Sequence, residues 1–423
     1  MSEASPISED DWKSLGLRAG TVFRPSAPVD EEDLFAGRTY QMRRVVDAIN
    51  QPGRHAVIFG ERGVGKTSLA NVLAKHLVNP GMTLAAPRIN CDSADEYASI
   101  WRKIFGRIQV LSLNRQMGFG KELEKIEGAE LLAHVPDEVT TEDVRKVLAQ
   151  LAEVSVLVVI VDEFDRVVSS TAKRLIADTI KMLSDQDIGA TLVLVGVADS
   201  VEDLIAQHES TERAIVQIQM PRMSREELHE ILEKCLGRLG MAIDDDARNL
   251  ISFLSQGLPT YTHLLGRHAA RNAIDARTLN ISIPHVEDAI KEALQDAEQS
   301  VRSLYDRAVA SPRGETLYPQ VLLACALAET GELGYFAAGD IRTPLQLVTG
   351  RSIDIPGFAK HLKEFSGPIR GPVLQRMGEK HRIRYRFAKP LIQPFVIMKG
   401  LAEGRITRAH LEKLSPWDAP RLI

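Results

Sequence analysis

Apolar residues in the first half of the chain form short continuous runs, and these runs alternate with longer segments of helical spacing. The runs cover residues 55–59, 87–91, 155–161 and 191–198. Continuous runs of this length are typical of strands buried on both faces, and strands that alternate with helices build parallel sheets. The pattern therefore predicts an α/β fold between residues 34 and 220, with a parallel sheet covered by helices.

The pattern changes at Pro221, after which apolar residues follow helical spacing to about residue 300. Ser224 and Glu227 have the sequence of a capping box, which predicts a helix beginning there. Residues 301–423 mix short helical patterns with one pair of strands. The segment 1–33 is polar and contains three prolines, so we predict an N-terminal arm. No pattern assigns the region 111–140.

The chain has 423 residues, a net charge of −5 and three cysteines that share no metal-binding spacing. The charge is unevenly distributed. Residues 301–423 contain 19 Lys and Arg against 11 Asp and Glu, so this part is basic and the rest is acidic. A basic part on an acidic body predicts a polyanionic partner for that part. The cysteines and the polar N-terminus, which lacks an apolar leader, predict a cytoplasmic protein with reduced thiols. No apolar stretch predicts a membrane span.

A glycine-rich segment follows the first apolar run and precedes a helical pattern. It reads Gly60, Glu61, Arg62, Gly63, Val64, Gly65, Lys66, Thr67 and Ser68. This is the phosphate-binding loop G-x-x-x-x-G-K-[ST] in the context that it requires, between a strand and a helix. The loop's N–H groups predict ATP binding, with Lys66 on the β- and γ-phosphates and the Thr67 hydroxyl on Mg²⁺.

Two carboxylates end the third apolar run. Asp162 and Glu163 follow Val154–Val161, at the strand end where open α/β sheets bind ligands. We predict that Asp162 holds Mg²⁺ through water molecules and that Glu163 orients or deprotonates the attacking water. The alternative is a pair of carboxylates that simply ends a core strand.

Two further residues are candidates for catalysis, each with an ordinary alternative. Asp199 follows the fourth run, where a polar group can contact the γ-phosphate or cap a helix beginning at Val201. Arg213 precedes the strand-like run 214–220. It can enter a neighbouring subunit's site and stabilise transition-state charge, or form a surface salt bridge.

These motifs resemble those of the AAA+ ATPases, with Gly60–Thr67 as Walker A and Asp162–Glu163 as Walker B. The chain looks most like the initiator branch, which includes origin-recognition and transposition-regulator ATPases, and it shares features with STAND-type signalling ATPases. The resemblance covers about 34–423. It implies an ATPase core at 34–220, a helical lid at 221–300 and a winged-helix domain at 301–423.

The resemblance also implies roles for residues outside the two Walker motifs. Leu34–Arg38 resembles the segment that packs near adenine, and Asp199 stands at the sensor 1 position, where the family often has Asn. Arg213 falls near the family's arginine finger. Gly257–Thr260 resembles the lid segment that a sensor 2 arginine often follows. Here Thr260 and Tyr261 follow, and Arg267 lies about two turns further on as a possible substitute.

The implied winged helix has three helices and a hairpin. Tyr318–Glu329 is its first helix, a second begins near Asp340, and Pro356–Phe365 is the third, with Lys360, His361 and Lys363 exposed and Ile355 on its apolar face. Val373–Leu374 and Arg382–Phe387 form the wing around Gly378–Lys380. Strand periodicity places Arg382, Arg384 and Arg386 on one face, suited to a phosphate backbone. We expect DNA contact through these arginines, Lys360 and Lys363; a solvated face or a protein dock is the alternative.

Two functions remain open from the sequence. The first is an ATP-hydrolysing switch that binds DNA and assembles into an ATP-dependent homo-oligomer. The second is a signalling or defence ATPase whose winged helix docks a protein effector. Salt-dependent DNA binding separates the two hypotheses.

Overall fold

The computed structural model of the chain describes residues 7–25, 27–28, 36–77, 84–113, 123–127, 138–153, 155–205, 209–311, 316–331, 333–378 and 382–414. The chain divides into two compact units. The sheet unit comprises Pro28–Glu61 and Gly65–Met220. The helical unit comprises Met1–Ala27, Arg62–Val64 and Pro221–Ile423. No helix among the described residues is long and apolar enough to cross a membrane.

The described helices are numbered in chain order. They are α1 (Glu9–Val22), α2 (Thr39–Ile49), α3 (Lys66–Leu77), α4 (Tyr97–Phe105), α5 (Thr141–Ala152), α6 (Ser170–Asp185), α7 (Val201–Leu204), α8 (Glu209–Glu212), α9 (Arg225–Leu239), α10 (Asp245–Ser255), α11 (Pro259–Asp275), α12 (Ile283–Asp296), α13 (Gln299–Val309), α14 (Tyr318–Leu327), α15 (Arg342–Thr349), α16 (Ile355–Phe365), α17 (Ile392–Ala402) and α18 (Arg408–Leu414).

The described strands are numbered in the same way. They are β1 (His55–Gly60), β2 (Leu84–Ala85), β3 (Arg88–Asn90), β4 (Gln109–Leu113), β5 (Leu123–Glu127), β6 (Val156–Asp162), β7 (Ala190–Val197), β8 (Ile215–Gln219), β9 (Ala242–Ile243), β10 (Asn280–Ile281), β11 (Phe336–Ala337), β12 (Leu374–Met377) and β13 (Arg384–Phe387).

The sheet unit is built on a parallel sheet in the order β2–β6–β7–β1–β8, with β3 also paired to β6. Strands β1, β6 and β7 are buried over almost their whole length, as their continuous apolar sequences require. Helices α3, α4, α5 and α6 pack against this sheet or against one another. The predicted α/β fold with a parallel sheet is therefore confirmed. The unassigned region 111–140 includes part of an antiparallel hairpin, β4–β5.

The helical unit begins with α1, inside the segment predicted to be a polar arm. Ser8 caps α1, and its side chain accepts a hydrogen bond from the backbone N–H of Asp11. One face of α1, which includes Trp12 and Leu15, is buried, and α1 packs against α9 and α11. The segment is thus in part a helix whose apolar face belongs to the core of the helical unit.

The last part of the chain combines helices with a small antiparallel sheet. Strands β11, β13 and β12 form this sheet in that order, and Tyr385 of β13 stacks on Phe336 of β11. Helix α17 is buried at eight of its eleven positions and packs against α10, α12, α13 and α14. Since α17 is apolar apart from Gln393 and Lys399, it occupies a core position, where helices that are apolar on nearly all sides belong.

Candidate functional site

The three neighbouring strands β6, β7 and β1 bring the predicted chemistry to one edge of the sheet. Register pairs Gly60 of β1 with Val197 of β7, and Asp162 ends β6 on the other side of β7. All three strands are parallel, so their carboxyl ends meet at this edge, where open α/β sheets bind ligands. The glycine loop, Asp162, Glu163 and Asp199 therefore lie on the same side of the sheet unit.

The glycine loop has a backbone that side chains would not permit. Gly60, Gly63 and Gly65 have φ values of 151°, 90° and 97°, in the region that favours glycine. A Cβ atom on Gly60 would lie 2.4 Å from the carbonyl oxygen of Met220. The loop ends where α3 begins at Lys66, so the unsatisfied N–H groups of a helix N-terminus adjoin it.

Lys66 is buried, and its ammonium group contacts the loop itself. Nζ donates to the carbonyl oxygens of Gly60, at 3.0 Å, and Glu61, at 2.7 Å. A phosphate that binds here would exchange these carbonyl contacts for charged ones, which are stronger.

Asp162 is 2 % exposed, and both of its carboxylate oxygens accept hydrogen bonds. Oδ1 accepts from the backbone N–H of Glu163 at 2.8 Å. Oδ2 accepts from Nη2 of Arg88 on β3 at 2.7 Å. Asp162 therefore already has a cation as its partner.

Glu163 has a left-handed backbone, with φ 55° and ψ 33°. For a residue with a side chain this costs about 1–2 kcal/mol, and such strain is frequent at functional sites. Its Oε2 accepts a hydrogen bond from Nη1 of Arg166 at 2.9 Å. This bond to Glu163 raises the pKa of the Arg166 guanidinium above its usual value.

Asp199 is half-buried, two residues beyond the end of β7. The cap of α7 is Ser200, which forms a capping box with Asp203, so Asp199 is not the N-cap of that helix. Oδ1 of Asp165 accepts a hydrogen bond from the backbone N–H of Val197 at 2.8 Å. This bond connects the turn after β6 to β7. Asp165 thus has a structural role close to the site.

Arg213 is exposed and lies at the opposite edge of the sheet. Ile215 pairs with His55, the first residue of β1, whereas the glycine loop follows the last. Five residue steps of about 3.3 Å separate the two edges, roughly 17 Å. The side chain of Arg213 therefore cannot reach the phosphate loop of its own chain.

The residues that would hold Mg²⁺ fit this ion, since hydroxyl and carboxylate oxygens are the ligands that it prefers. Thr67 is the second residue of α3. This helix packs against β6, and Asp162 is the last residue of β6. Among the described residues, no group of three His, Cys, Asp or Glu side chains could hold a metal ion without other ligands.

Arg267, the possible sensor 2 substitute, makes its contacts within the helical unit. Its Nη2 donates to Oδ2 of Asp296 on α12 at 3.1 Å. Tyr261 is buried, and its hydroxyl donates to the carbonyl oxygen of Leu391 at 2.6 Å. Both residues thus stabilise the fold of the helical unit in this structure.

The third helix of the C-terminal part exposes Lys360 and Lys363, and the strand region exposes Arg382 and Arg384. Arg386 is half-buried, its Nε donates to Oε1 of Gln375 at 2.7 Å, and its guanidinium lies over the ring of Tyr335. The five basic residues define the basic face.

Two expectations for this helix were wrong. His361 is half-buried because its ring packs against Tyr318, with 4.6 Å between ring centroids. Ile355, expected on the apolar face, is 39 % exposed. Glu379 and Lys380 of the wing turn, and Leu34 and Phe35, lie outside the described residues.

Arg88 and Arg166 are the site residues that the sequence did not reveal. Arg166 stands three residues after Glu163 in a 3₁₀ turn, and this spacing was a usable signal. Arg88 meets Asp162 only through the register of β3 with β6, which pairs Asn90 with Asp162. Nothing local to either sequence segment indicates that contact.

The fold and the site together define a P-loop ATPase domain, a parallel sheet with a phosphate loop after β1 and acidic residues after β6. Residues 34–195 match the family model of the AAA ATPase domain. This segment of the chain is therefore similar to the AAA ATPase domain. No curated protein matches the sequence.

Several solved structures are similar to this chain at low sequence identity. The Walker-type ATPase of Pyrococcus abyssi is 16 % identical, with a TM-score of 0.50, over 89 % of this chain and 99 % of that one. The ORC2 protein of Aeropyrum pernix, solved in ADPNP and ADP complexes, is 16 % identical, with a TM-score of 0.49, over 91 % and 98 %. The ORC1 protein of Aeropyrum pernix, solved with DNA, is 16 % identical, with a TM-score of 0.46, over 90 % and 96 %.

Proposed function

We propose that the chain is an ATP-hydrolysing switch of initiator type that contacts DNA through a C-terminal winged helix. The observation that supports ATP binding is the glycine loop between β1 and α3, whose backbone requires glycine, with Asp162 and Glu163 at the end of the strand beyond β7. The AAA ATPase match over residues 34–195 supports the same conclusion.

The residues of the site divide the work of phosphoryl transfer among them. The loop N–H groups and the N-terminus of α3 bind the phosphates, and Lys66 leaves the carbonyl oxygens of Gly60 and Glu61 to neutralise them. Thr67 and Asp162 would hold Mg²⁺, which supplies charge neutralisation on the phosphate oxygens when bound. Glu163 takes the proton of the attacking water, and Asp199 contacts the water or the γ-phosphate.

Assembly follows from the position of Arg213. Because Arg213 is exposed at the sheet edge remote from its own loop, a role in catalysis requires a second copy of the chain. We propose that Arg213 enters the neighbour's site in an ATP-dependent homo-oligomer and stabilises transition-state charge there.

DNA binding is supported by the basic face. Helix α16 and the three-stranded sheet have the parts of a winged helix, and Lys360, Lys363, Arg382 and Arg384 are exposed. Exposed Lys and Arg bind phosphate groups with little loss of existing contacts, and release of counterions drives this binding. Such contacts position a protein on DNA and do not read its sequence.

The test of ATP binding is Lys66→Ala, with Lys75→Ala as the matched control. Both lysines lie on α3, but Lys75 is exposed two turns beyond the loop. Lys66→Ala should abolish measurable ATP binding and turnover, and Lys75→Ala should preserve both. Turnover by Lys66→Ala at the wild-type rate would refute the proposed ATP site.

The test of DNA binding is the affinity of the wild-type protein for duplex DNA at several salt concentrations. If six or more phosphates are neutralised, affinity should fall by about 10³-fold or more between 50 and 200 mM salt. If no DNA binds at low salt and a protein partner is retained after nuclease treatment, the C-terminal part is a protein dock, as in signalling ATPases.

A further inference from the structure

Arg88 lies on β3 and forms an ion pair with Asp162, the carboxylate expected to serve Mg²⁺. The Nη2 to Oδ2 distance is 2.7 Å, and the side chains are 24 % and 2 % exposed. The register of β3 with β6 fixes the pair, because Arg88 pairs with Ile160 and Asn90 with Asp162. Arg107 also contacts this strand, since its Nη1 donates to the carbonyl oxygen of Arg88 at 2.8 Å.

The ion pair of Arg166 with Glu163, at the same edge, differs from this one in exposure. Arg166 and Glu163 are 52 % and 42 % exposed, so water screens their attraction and the pair breaks easily. Lys103 pairs with Asp92 and Asp95, which are not in the Walker motifs. The Asp162 pair is shielded from water, and removal of Arg88 would leave a buried carboxylate without a cation.

We propose that Arg88 is the resident cation of Asp162 and that it makes nucleotide binding at this site only weakly dependent on Mg²⁺. The proposal rests on the nucleotide site proposed above and concerns the regulation of that site. A metal ion that approaches Asp162 must share the carboxylate with a guanidinium of like charge. Oδ1 accepts the N–H of Glu163 and Oδ2 accepts Nη2 of Arg88, so each oxygen has one acceptor site left for the water molecules around Mg²⁺, and these would lie next to the guanidinium.

The consequence is a linkage between two ligands. Where a Walker B carboxylate has no other cation, Mg²⁺ and nucleotide each strengthen the binding of the other. In this chain the carboxylate is neutralised before the metal arrives, so the mutual effect is small. Removing the charge of Arg88 should restore the mutual strengthening of Mg²⁺ and nucleotide binding.

The experiment measures the affinity for ADP by titration calorimetry, once in EDTA and once in saturating Mg²⁺. The variants are Arg88→Gln, Arg88→Lys and the matched control Arg107→Gln, which removes an arginine next to Arg88 but does not contact Asp162. Mg²⁺ should strengthen ADP binding by less than about fivefold in wild type, Arg88→Lys and Arg107→Gln, and by more than that in Arg88→Gln, since couplings between sites typically span about 5–150-fold.

Each outcome is decisive for one of the two proposals. An equal and large effect of Mg²⁺ in wild type and Arg88→Gln overturns the role of Arg88, and so does an equally small effect in both. If the wild type binds ADP in neither solution, the nucleotide site itself is refuted.

A second measurement covers the case in which Arg88→Gln does not fold. Electron paramagnetic resonance of Mn²⁺, with wild-type protein and ADP, reports the affinity of the metal for the complex. Protein-bound ADP should hold Mn²⁺ no more tightly than free ADP does. Tighter binding would overturn the proposal without any variant.

Discussion

The charged residues proposed for function have partners in the sheet unit and are exposed to solvent in the helical unit. In the sheet unit, Lys66, Asp162 and Glu163 each contact a group of the same unit, at distances of 2.7–3.0 Å. On the basic face of the helical unit, Lys360, Lys363, Arg382 and Arg384 are exposed to water.

This difference determines which existing contacts each ligand would have to replace. A nucleotide at the sheet edge would have to replace contacts that Lys66, Asp162 and Glu163 already make, so its binding should rearrange the site. A phosphate backbone at the basic face would meet exposed charges, although Lys360 has the carboxylate of Glu364 at 3.7 Å, so binding there should be fast and salt-dependent. The following predictions test this contrast.

The largest effect should come from Arg213→Ala. Arg213 is an exception to the contrast, because its side chain is exposed to solvent although it belongs to the sheet unit. If it completes a neighbour's site, the variant should bind ATP normally and lose about 10³–10⁵-fold in turnover. Mixing it with Glu163→Gln should restore part of the activity, because a mixed interface can pair an intact Arg213 with an intact Glu163. No rescue, with a wild-type specific activity independent of protein concentration, would indicate a monomer.

Glu163→Gln tests a paired charge within the site. The variant should keep ATP binding and lose about 10²–10⁴-fold in turnover, the usual contribution of a general base. Arg166→Ala is the matched control, since it removes the partner of Glu163 and keeps the carboxylate. Its turnover should change by no more than about fivefold, the worth of an exposed ion pair. A loss below tenfold in Glu163→Gln would show that another group activates water.

The basic face is tested by replacing Arg382, Arg384 and Arg386 together with Ala. ATP turnover should be unchanged, and the slope of log affinity for DNA against log salt should shrink by up to about three units. Arg376→Ala is the control, because Arg376 pairs in register with the buried Tyr385 on the other face of the sheet. DNA binding that equals wild type in the triple variant would exclude a role for these arginines.

The smallest effect concerns a buried group of the helical unit. Burial lowers the pKa of His263 to about 4, so the folded protein keeps this histidine neutral. The unfolded chain binds the proton first as the pH falls through 6.5, so the free energy of unfolding decreases between pH 6.5 and 4. By pH 5 the loss should be about 2 kcal/mol. His263→Leu should remove this part of the acid sensitivity in denaturant titrations at pH 7 and 5; an unchanged sensitivity would contradict the burial argument.

The sequence predicted those parts of the fold and site that depend on one segment at a time. The buried runs around Val57 and Val159 identified their strands, and the glycine loop was assigned by its flanks. Helix α1 was missed although Trp12, Leu15 and Ala19 have helical spacing, because the polar residues between them and the following prolines indicated an arm. The contact of Arg88 with Asp162 depends on strand register, and the burial of His361 depends on Tyr318 from another helix. Contacts of this kind, between distant segments, can be identified only from the folded structure.

Helix α17 has a consequence for how the chain can be divided. It packs against α10 and α12 of the proposed lid, residues 221–300, as well as against α13 and α14. A protein cut after the lid would leave apolar faces of α10 and α12 open to water, and a fragment without the lid would expose α17 itself. The lid and the C-terminal part should consequently fold as one unit, so we expect them to be kept together in evolution and in purified fragments. Calorimetry of residues 221–423 joined to α1 should show one melting transition.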